Sequence, residues 1–186
     1  MLLFSSIILG LIVGLIRKGN IFRLNNLRLL WLVIMPLFAS LVIKYYPVLP
    51  YILKAALTTL TYSCVIAFVI ANRENVVPSV FLGLGTLSNY VVIAANSFRM
   101  PITAKALLIY PTMTAEAVLS QRANYFVATD GAKLMSLGDI IYIPIKIIEG
   151  FISVGDILLA IGMFLLIVRV MGKNTLDRKK PADDVK

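Results

Sequence analysis

Two carboxylates stand in a phrase that the chain writes twice. Ser136-Leu137-Gly138-Asp139-Ile140 returns as Ser153-Val154-Gly155-Asp156-Ile157, and each copy leads into an apolar run. Two kinds of chemistry are open to Asp139 and Asp156. As helix caps, they accept from orphan N–H groups and face the positive end of the dipole, with Ser153 sharing the task. As a site, the two loops meet at the outer membrane boundary and offer oxygens to a cation or proton. Ionisable groups at that depth are costly unless paired, which favours a role. Lys146 and Arg99 are the natural neutralising partners. Capping is the plainer reading, because acidic helix starts are common.

Asn89 and Asn96 lie two helical turns apart and share one face. An asparagine in lipid is expensive unless bonded, so that face looks inward, to glue helices or to touch a ligand. Arg99 follows, suited to an anion or a lipid phosphate, or to snorkelling. The candidate ligand-binding set is therefore Asp139, Asp156, Asn89, Asn96 and Arg99. No catalytic residue is assigned. Histidine is absent and Cys64 is the single cysteine, which removes structural zinc, haem ligation by imidazole and iron–sulfur clusters. A metal would have to be a hard cation held by oxygens, and no metal or cofactor is assigned. No serine sits in a nucleophile elbow, and there is no Walker loop or dinucleotide fingerprint.

The elements that position these residues follow from composition. The 186 residues are 60% hydrophobic and 15% charged, with a mean hydropathy of +0.92. A soluble domain is about half apolar and a quarter charged, so the main solvent here is a bilayer. The net charge of +9 is not read as nucleic-acid affinity, since the basic residues flank apolar runs.

The pattern predicts an all-α polytopic membrane protein with about five transmembrane helices. The spans fall near 1–16, 29–43, 51–71, 76–95 and 153–171, forming a transmembrane domain over 1–172 with a cytoplasmic tail at 173–186. Pro36 falls mid-span and should kink the second helix. Ser6, Gly10 and Gly14 make a small-residue strip for close helix approach. Thr58, Thr61 and Tyr62 give the third span a polar face, while Asn72 and Asn75 cap and turn. Residues 96–150 form a long extracytoplasmic region with short helices, one opened by Pro101, and Asp130-Gly131 reads as a turn. The apolar pieces 101–110 and 114–123 are too short or too interrupted to cross.

With the amino terminus outside, eleven Lys and Arg fall on inside segments and seven outside. That bias puts the carboxyl terminus in the cytoplasm.

Asn89-Tyr90-Val91-Val92-Ile93-Ala94-Ala95-Asn96, then Met100-Pro101-Ile102, Leu137-Gly138-Asp139-Ile140 and the run Ser153–Gly162, resembles a family of small bacterial multi-span proteins, domain of unknown function 5317. The similarity covers most of the chain. Members often carry glycines just after the second Asn, where this chain has Ser97 and Phe98, and a histidine typical of some relatives is missing. The resemblance implies a bacterial plasma-membrane protein and supplies no activity.

The expected function is binding or transport of a small ligand, a monovalent or hard cation, or a lipid head group at the extracytoplasmic boundary. The alternatives are an accessory or scaffold subunit for another membrane protein and, further off, a membrane enzyme acting on a lipid-linked substrate. Partners are the bilayer, that ligand and a membrane-protein partner, with no nucleic acid. With Cys64 replaced by Ser, single cysteines at Ala132 and Thr175 are expected to react with a membrane-impermeant maleimide from opposite sides. Labelling of both from one side refutes the arrangement.

Overall fold

The computed structural model describes residues 2–45, 49–109, 125–128, 131–146 and 149–172. The apolar piece 114–123, Asp130 of the expected turn and the tail 173–186 lie outside the described residues. Helix α1 is Leu2–Ile16, α2 Ile34–Tyr45, α3 Tyr51–Ala71, α4 Val76–Ala95 and α6 Val154–Met171. A five-residue α5, Lys105–Ile109, lies in the region between α4 and α6. Helices α3, α4 and α6 are long and apolar enough to cross a membrane. Helix α1 is equally apolar and shorter, about 22 Å by helical rise.

Outward-facing apolar side chains continue around the bundle. Phe4, Ile8, Ile12 and Ile16 are exposed along α1, as are Val76, Val80, Leu84, Leu87 and Val91 along α4. In water such a belt would be a liability, whereas in hydrocarbon it is the solvent-matched surface. Inside, Leu32, Phe68, Val69, Leu82 and Leu166 form the buried cluster.

Helix α6 is the axis of the packing. It runs closely against α4 on one side and α1 on the other, α3 packs on α4, and α2 packs on α3. Among the described residues α1 and α2 hardly touch, so the ring is left open along that seam. Small residues set the two closest crossings. Gly10 of α1 faces Ile167, and Gly14 faces Met171, as the strip with Ser6 predicts. Gly85 of α4 faces Gly155 and Leu159, and Gly162 faces Leu82.

One end of the bundle is basic. Asn20 N–H donates to Met171 O at 2.8 Å and Arg23 Nη1 to Gly172 O at 2.5 Å, tying the segment after α1 to the end of α6. Arg169 Nε donates to Asn75 Oδ1 at 3.1 Å. Arg17, Lys18, Arg23, Arg28, Arg73 and Arg169 gather at this end, with Glu74 as its one acid among the described residues.

The other end carries a small β roof, which corrects the all-α expectation. Strand β1, Met100–Ile102, pairs in parallel with β2, Tyr125–Val127. Strand β3, Ile141–Ile143, pairs antiparallel with β4, Gly150–Ile152, with Tyr142 opposite Phe151. Ile102 and Phe151 form its buried centre with Tyr125, Val127 and Tyr142 around them. Ile141, Ile143 and Ile145 alternate and are interrupted by Pro144, a pattern that suits a short strand better than a helix.

Two proline expectations are also corrected. Pro101 sits in β1 and opens no helix. It has no N–H to give, but its carbonyl accepts from Asp139 N–H at 2.9 Å. Pro36 lies in the first turn of α2, preceded by a 3₁₀ turn at Leu30–Val33. There a missing donor costs little and the chain need not bend mid-helix.

A methyl at Gly85 would stand 2.7 Å from Gly155 O, while one at Gly83 meets only Val69 Cγ1 at 3.8 Å. Gly85→Ala is expected to lower stability by about 1–3 kcal/mol through overpacking, whereas Gly83→Ala is neutral or stabilising by up to about 1 kcal/mol. Detergent thermal denaturation of the two variants side by side checks the pairing of α4 with α6.

Candidate functional site

The start of α6 is built from Ser153 and Asp156. Ser153 is extended at the end of β4, and its Oγ accepts from Asp156 N–H at 2.9 Å. Asp156 Oδ2 accepts in turn from Ser153 N–H at 3.2 Å, so two orphan donors are satisfied reciprocally. This is the geometry the capping reading describes. The cap does not stop there. Ser153, with 0% of its surface exposed, donates its hydroxyl hydrogen to Asn89 Oδ1 at 2.8 Å. Asn89 Nδ2 donates to Asp156 Oδ1 at 2.8 Å.

Ser153, Asn89 and Asp156 therefore close a ring across the α4–α6 crossing. Each bond fixes which way the Asn89 amide points, since only its oxygen can accept from the serine and only its nitrogen can donate to the carboxylate. Gly155 lets the amide in, because a Cβ there would collide with Asn89 Oδ1. The expectation that Asn89 faces inward, bonded between helices, is what this ring describes.

Asp156 also forms part of the wall of a cavity of about 380 Å³ at the centre of the bundle. Leu3, Phe4 and Ile7 of α1 line it on one side of the open seam, and Pro36 and Ala39 of α2 on the other. Its polar spots are Thr58, Thr61 and Tyr62 of α3, Thr86 and Asn89 of α4, and Asp156. Thr61 Oγ1 and Thr86 Oγ1 donate to the carbonyls one turn back, Leu57 O at 2.8 Å and Leu82 O at 2.6 Å. Those bonds leave the threonine methyls and the carboxylate to characterise the interior. Asp139 bridges Ile102 of β1 and Asp156 lies in the first turn after β4, so both carboxylates belong to the roofed end.

The two copies of the repeated phrase do different things. Ser136 and Leu137 lie in a 3₁₀ turn, and Asp139 is extended, forming a bridge to Ile102. Its N–H donates to Pro101 O and its carbonyl accepts from Thr103 N–H at 3.3 Å, with only 2% of the residue exposed. The local phrase is the same, but the sequel differs: a β-branched run ending at Pro144 in one case and a membrane-length run in the other. The backbone of Asp139 is thus built into the roof. The residue does not line the cavity.

Asn96 and Arg99 also bond to the roofed end. Arg99 Nη2 donates to Tyr125 O at 2.7 Å, and its guanidinium carbon lies 5.6 Å from the centre of the Phe126 ring, bracing β1 on β2. Lys146 is exposed. Asn96 Nδ2 donates to Val92 O and to Lys133 O, each at 2.8 Å, while its Oδ1 accepts from Lys133 N–H at 2.9 Å. Asn72 makes the same clasp at the basic end. Its Nδ2 donates to Phe68 O and Arg28 O, and its Oδ1 accepts from Arg28 N–H. In both cases the clasped basic residue precedes a leucine of positive φ, Leu29 at 54° and Leu134 at 53°.

The place of Asn72 at a helix end is legible in the sequence, but its hold on the remote loop through Arg28 is not. Thr86 was missed altogether, since one threonine in an apolar span carries no distinguishing signal.

The family model for a family of unknown function, DUF5317, matches residues 23–168. The chain belongs to that family. The matched range takes in α2, α3, α4, the roof and most of α6, and so the whole Ser153–Asn89–Asp156 ring. No curated protein and no solved structure matches the chain.

In the turn after Asn96, Ser97 and Phe98 both have positive φ, 56° and 57°. Glycine takes that conformation freely, whereas other residues are disfavoured by roughly 1–2 kcal/mol. Phe98 is held there by its N–H bond to Ile93 O at 2.9 Å and by an edge-on contact with Tyr51, ring centres 5.9 Å apart. Its side chain closes part of the cavity wall. Ser97 is exposed and has no such compensation. Ser97→Gly is expected to stabilise the protein by about 1 kcal/mol, seen as a thermal midpoint a few degrees higher. Phe98→Gly should gain nothing, because relief of the backbone is offset by loss of the Tyr51 contact and the cavity wall.

Proposed function

We propose that this protein is a five-span plasma-membrane protein, amino terminus outside, that binds an amphipathic small molecule with an apolar body and a cationic or hydrogen-bond-donating head. The observation that carries the reading is a carboxylate, Asp156, on the wall of a mostly apolar cavity of about 380 Å³ whose other polar groups are uncharged. Cavities of this size class hold small ligands, with a few placed polar groups setting orientation. Each oxygen of Asp156 accepts one hydrogen bond from the ring and retains capacity for another. An ammonium or hydroxyl fits that capacity.

A bare hard cation fits less well. Such ions take about six to eight oxygens, and among the described residues no group of three or more acidic, His or Cys side chains is placed to hold a metal. The barely touching α1 and α2 supply a lateral way in from the bilayer, as an amphipath requires. Five crossings are supported by the alternation of helix ends between the basic end and the roof. The basic end, with its six Lys and Arg, corresponds to the cytoplasmic side by the bias of positive charge. The accessory-subunit reading is favoured by one observation: the ring satisfies Asp156 as a cap without any ligand.

Alkyl probes separate the two. Dodecylamine, below its micelle-forming concentration, is expected to raise the thermal midpoint of the purified protein by roughly a few degrees, as mass action on the folded state requires. Dodecanoate, of equal length and opposite charge, should give no shift. Ala39→Phe fills the cavity and should remove the response. Asp156→Asn should remove it while the fold persists, because the Asn89 amide can turn over and keep the ring bonded. Equal shifts with amine and acid, or an undiminished response in Ala39→Phe, would leave the accessory reading standing in its place.

A further inference from the structure

A second recess lies away from the central cavity, at the basic end. It is a groove of about 570 Å³ with α6 as its floor, running between the start of α4 and the residue that follows α1. Val77, Pro78, Leu165 and Val168 make it apolar, while Arg17 and Arg169 stand on its rim. Both arginines are exposed, and among the described residues neither has a carboxylate partner. Asn75 Oδ1 holds the Nε of Arg169 at 3.1 Å, which orients the guanidinium and leaves its terminal nitrogens to other acceptors.

We propose that this groove binds one anionic glycerophospholipid, its phosphate between Arg17 and Arg169 and an acyl chain along the α6 floor. Guanidinium groups match phosphate oxygens in a planar fork. The pair stands where α1 and α6 end, the level at which a phosphate layer meets a spanning helix. The charge around the groove is one-sided, with Lys18, Arg23 and Arg28 at the same end and Glu74 the one acid at that end among the described residues. That field favours a net-negative head and disfavours a zwitterionic one. The apolar floor selects a lipid over a free phosphate, which would leave Val77, Leu165 and Val168 uncovered. This site is separate from the Asp156 cavity and stands or falls without it.

Native mass spectrometry of the full chain in mild detergent, doped with equal amounts of phosphatidylglycerol and phosphatidylcholine, reads the site directly. The wild type is expected to retain one phosphatidylglycerol in preference. Charge removal in the Arg17→Gln, Arg169→Gln double variant should weaken that retention by roughly thirtyfold, from about one increment of surface attraction per arginine. Val77→Trp, with every charge in place, should lose the lipid by filling the groove. Arg73→Gln, at the same end but off the groove, should bind as wild type, and millimolar inorganic phosphate should not displace the lipid. All four positions are exposed, so these substitutions leave the fold intact. Unchanged binding in the double variant or in Val77→Trp overturns the proposal. So does an equal loss in Arg73→Gln, which would mean a diffuse basic surface, or displacement by inorganic phosphate.

Discussion

In hydrocarbon, apolar side chains gain nothing by leaving lipid for one another, so helix association depends on close packing and on bonding every polar group. The crossing of α4 and α6 meets both demands at one place. Gly85 and Gly155 let the backbones approach until no side-chain carbon fits between them. That approach brings the Asn89 amide within reach of a hydroxyl and a carboxylate that already cap α6. The ring formed is worth more than a cap, because leaving a buried amide or carboxylate unbonded costs about 1–3 kcal/mol or more.

The remaining helices are arranged around that crossing. Helix α1 lies against α6 through Gly10 and Gly14, and α3 and α2 extend the wall from α4. A single turn of helices around one crossing leaves a cavity between them, lined by α1 and α2, which pack only loosely on each other among the described residues. Two matching asparagine clasps secure the ends, Asn72 on Arg28 and Asn96 on Lys133. Each uses one amide to satisfy both backbone groups of a loop residue, so irregular chain is fixed without secondary structure of its own. The cavity is thus a consequence of rigid closure at both ends and incomplete closure at the waist.

The two recesses differ in chemistry for a reason rooted in the chain. The central one has its charge at the roofed end, supplied by an acid that the helix start needs anyway. The peripheral one has its charge on the opposite end, supplied by arginines at the ends of the apolar helices α1 and α6. In both cases a residue with an ordinary structural duty is left beside an apolar hollow with bonding capacity to spare.

Much of this was legible in the residues. Apolar runs bounded by Arg, Lys and Asn gave α3, α4 and α6 nearly to the residue, because lipid allows few other states for such runs. Ser153 and Asp156 were readable as a cap, since capping is decided within four residues of chain. Local rules could not say that the same phrase at Ser136–Ile140 would become a bridge in a β roof. That outcome rests on pairing of Ile102 with Asp139 and of β3 with β4, between segments distant in sequence. Nor could they say that Asn96 and Arg99 would bond to Lys133 and Tyr125 while Asn89 met Asp156. The sequence by itself determined the long apolar helices and the polar residues that would need partners. Tertiary structure decided the partners, because hydrogen-bond geometry tolerates errors of only tenths of an ångström and no one-dimensional pattern carries that distance.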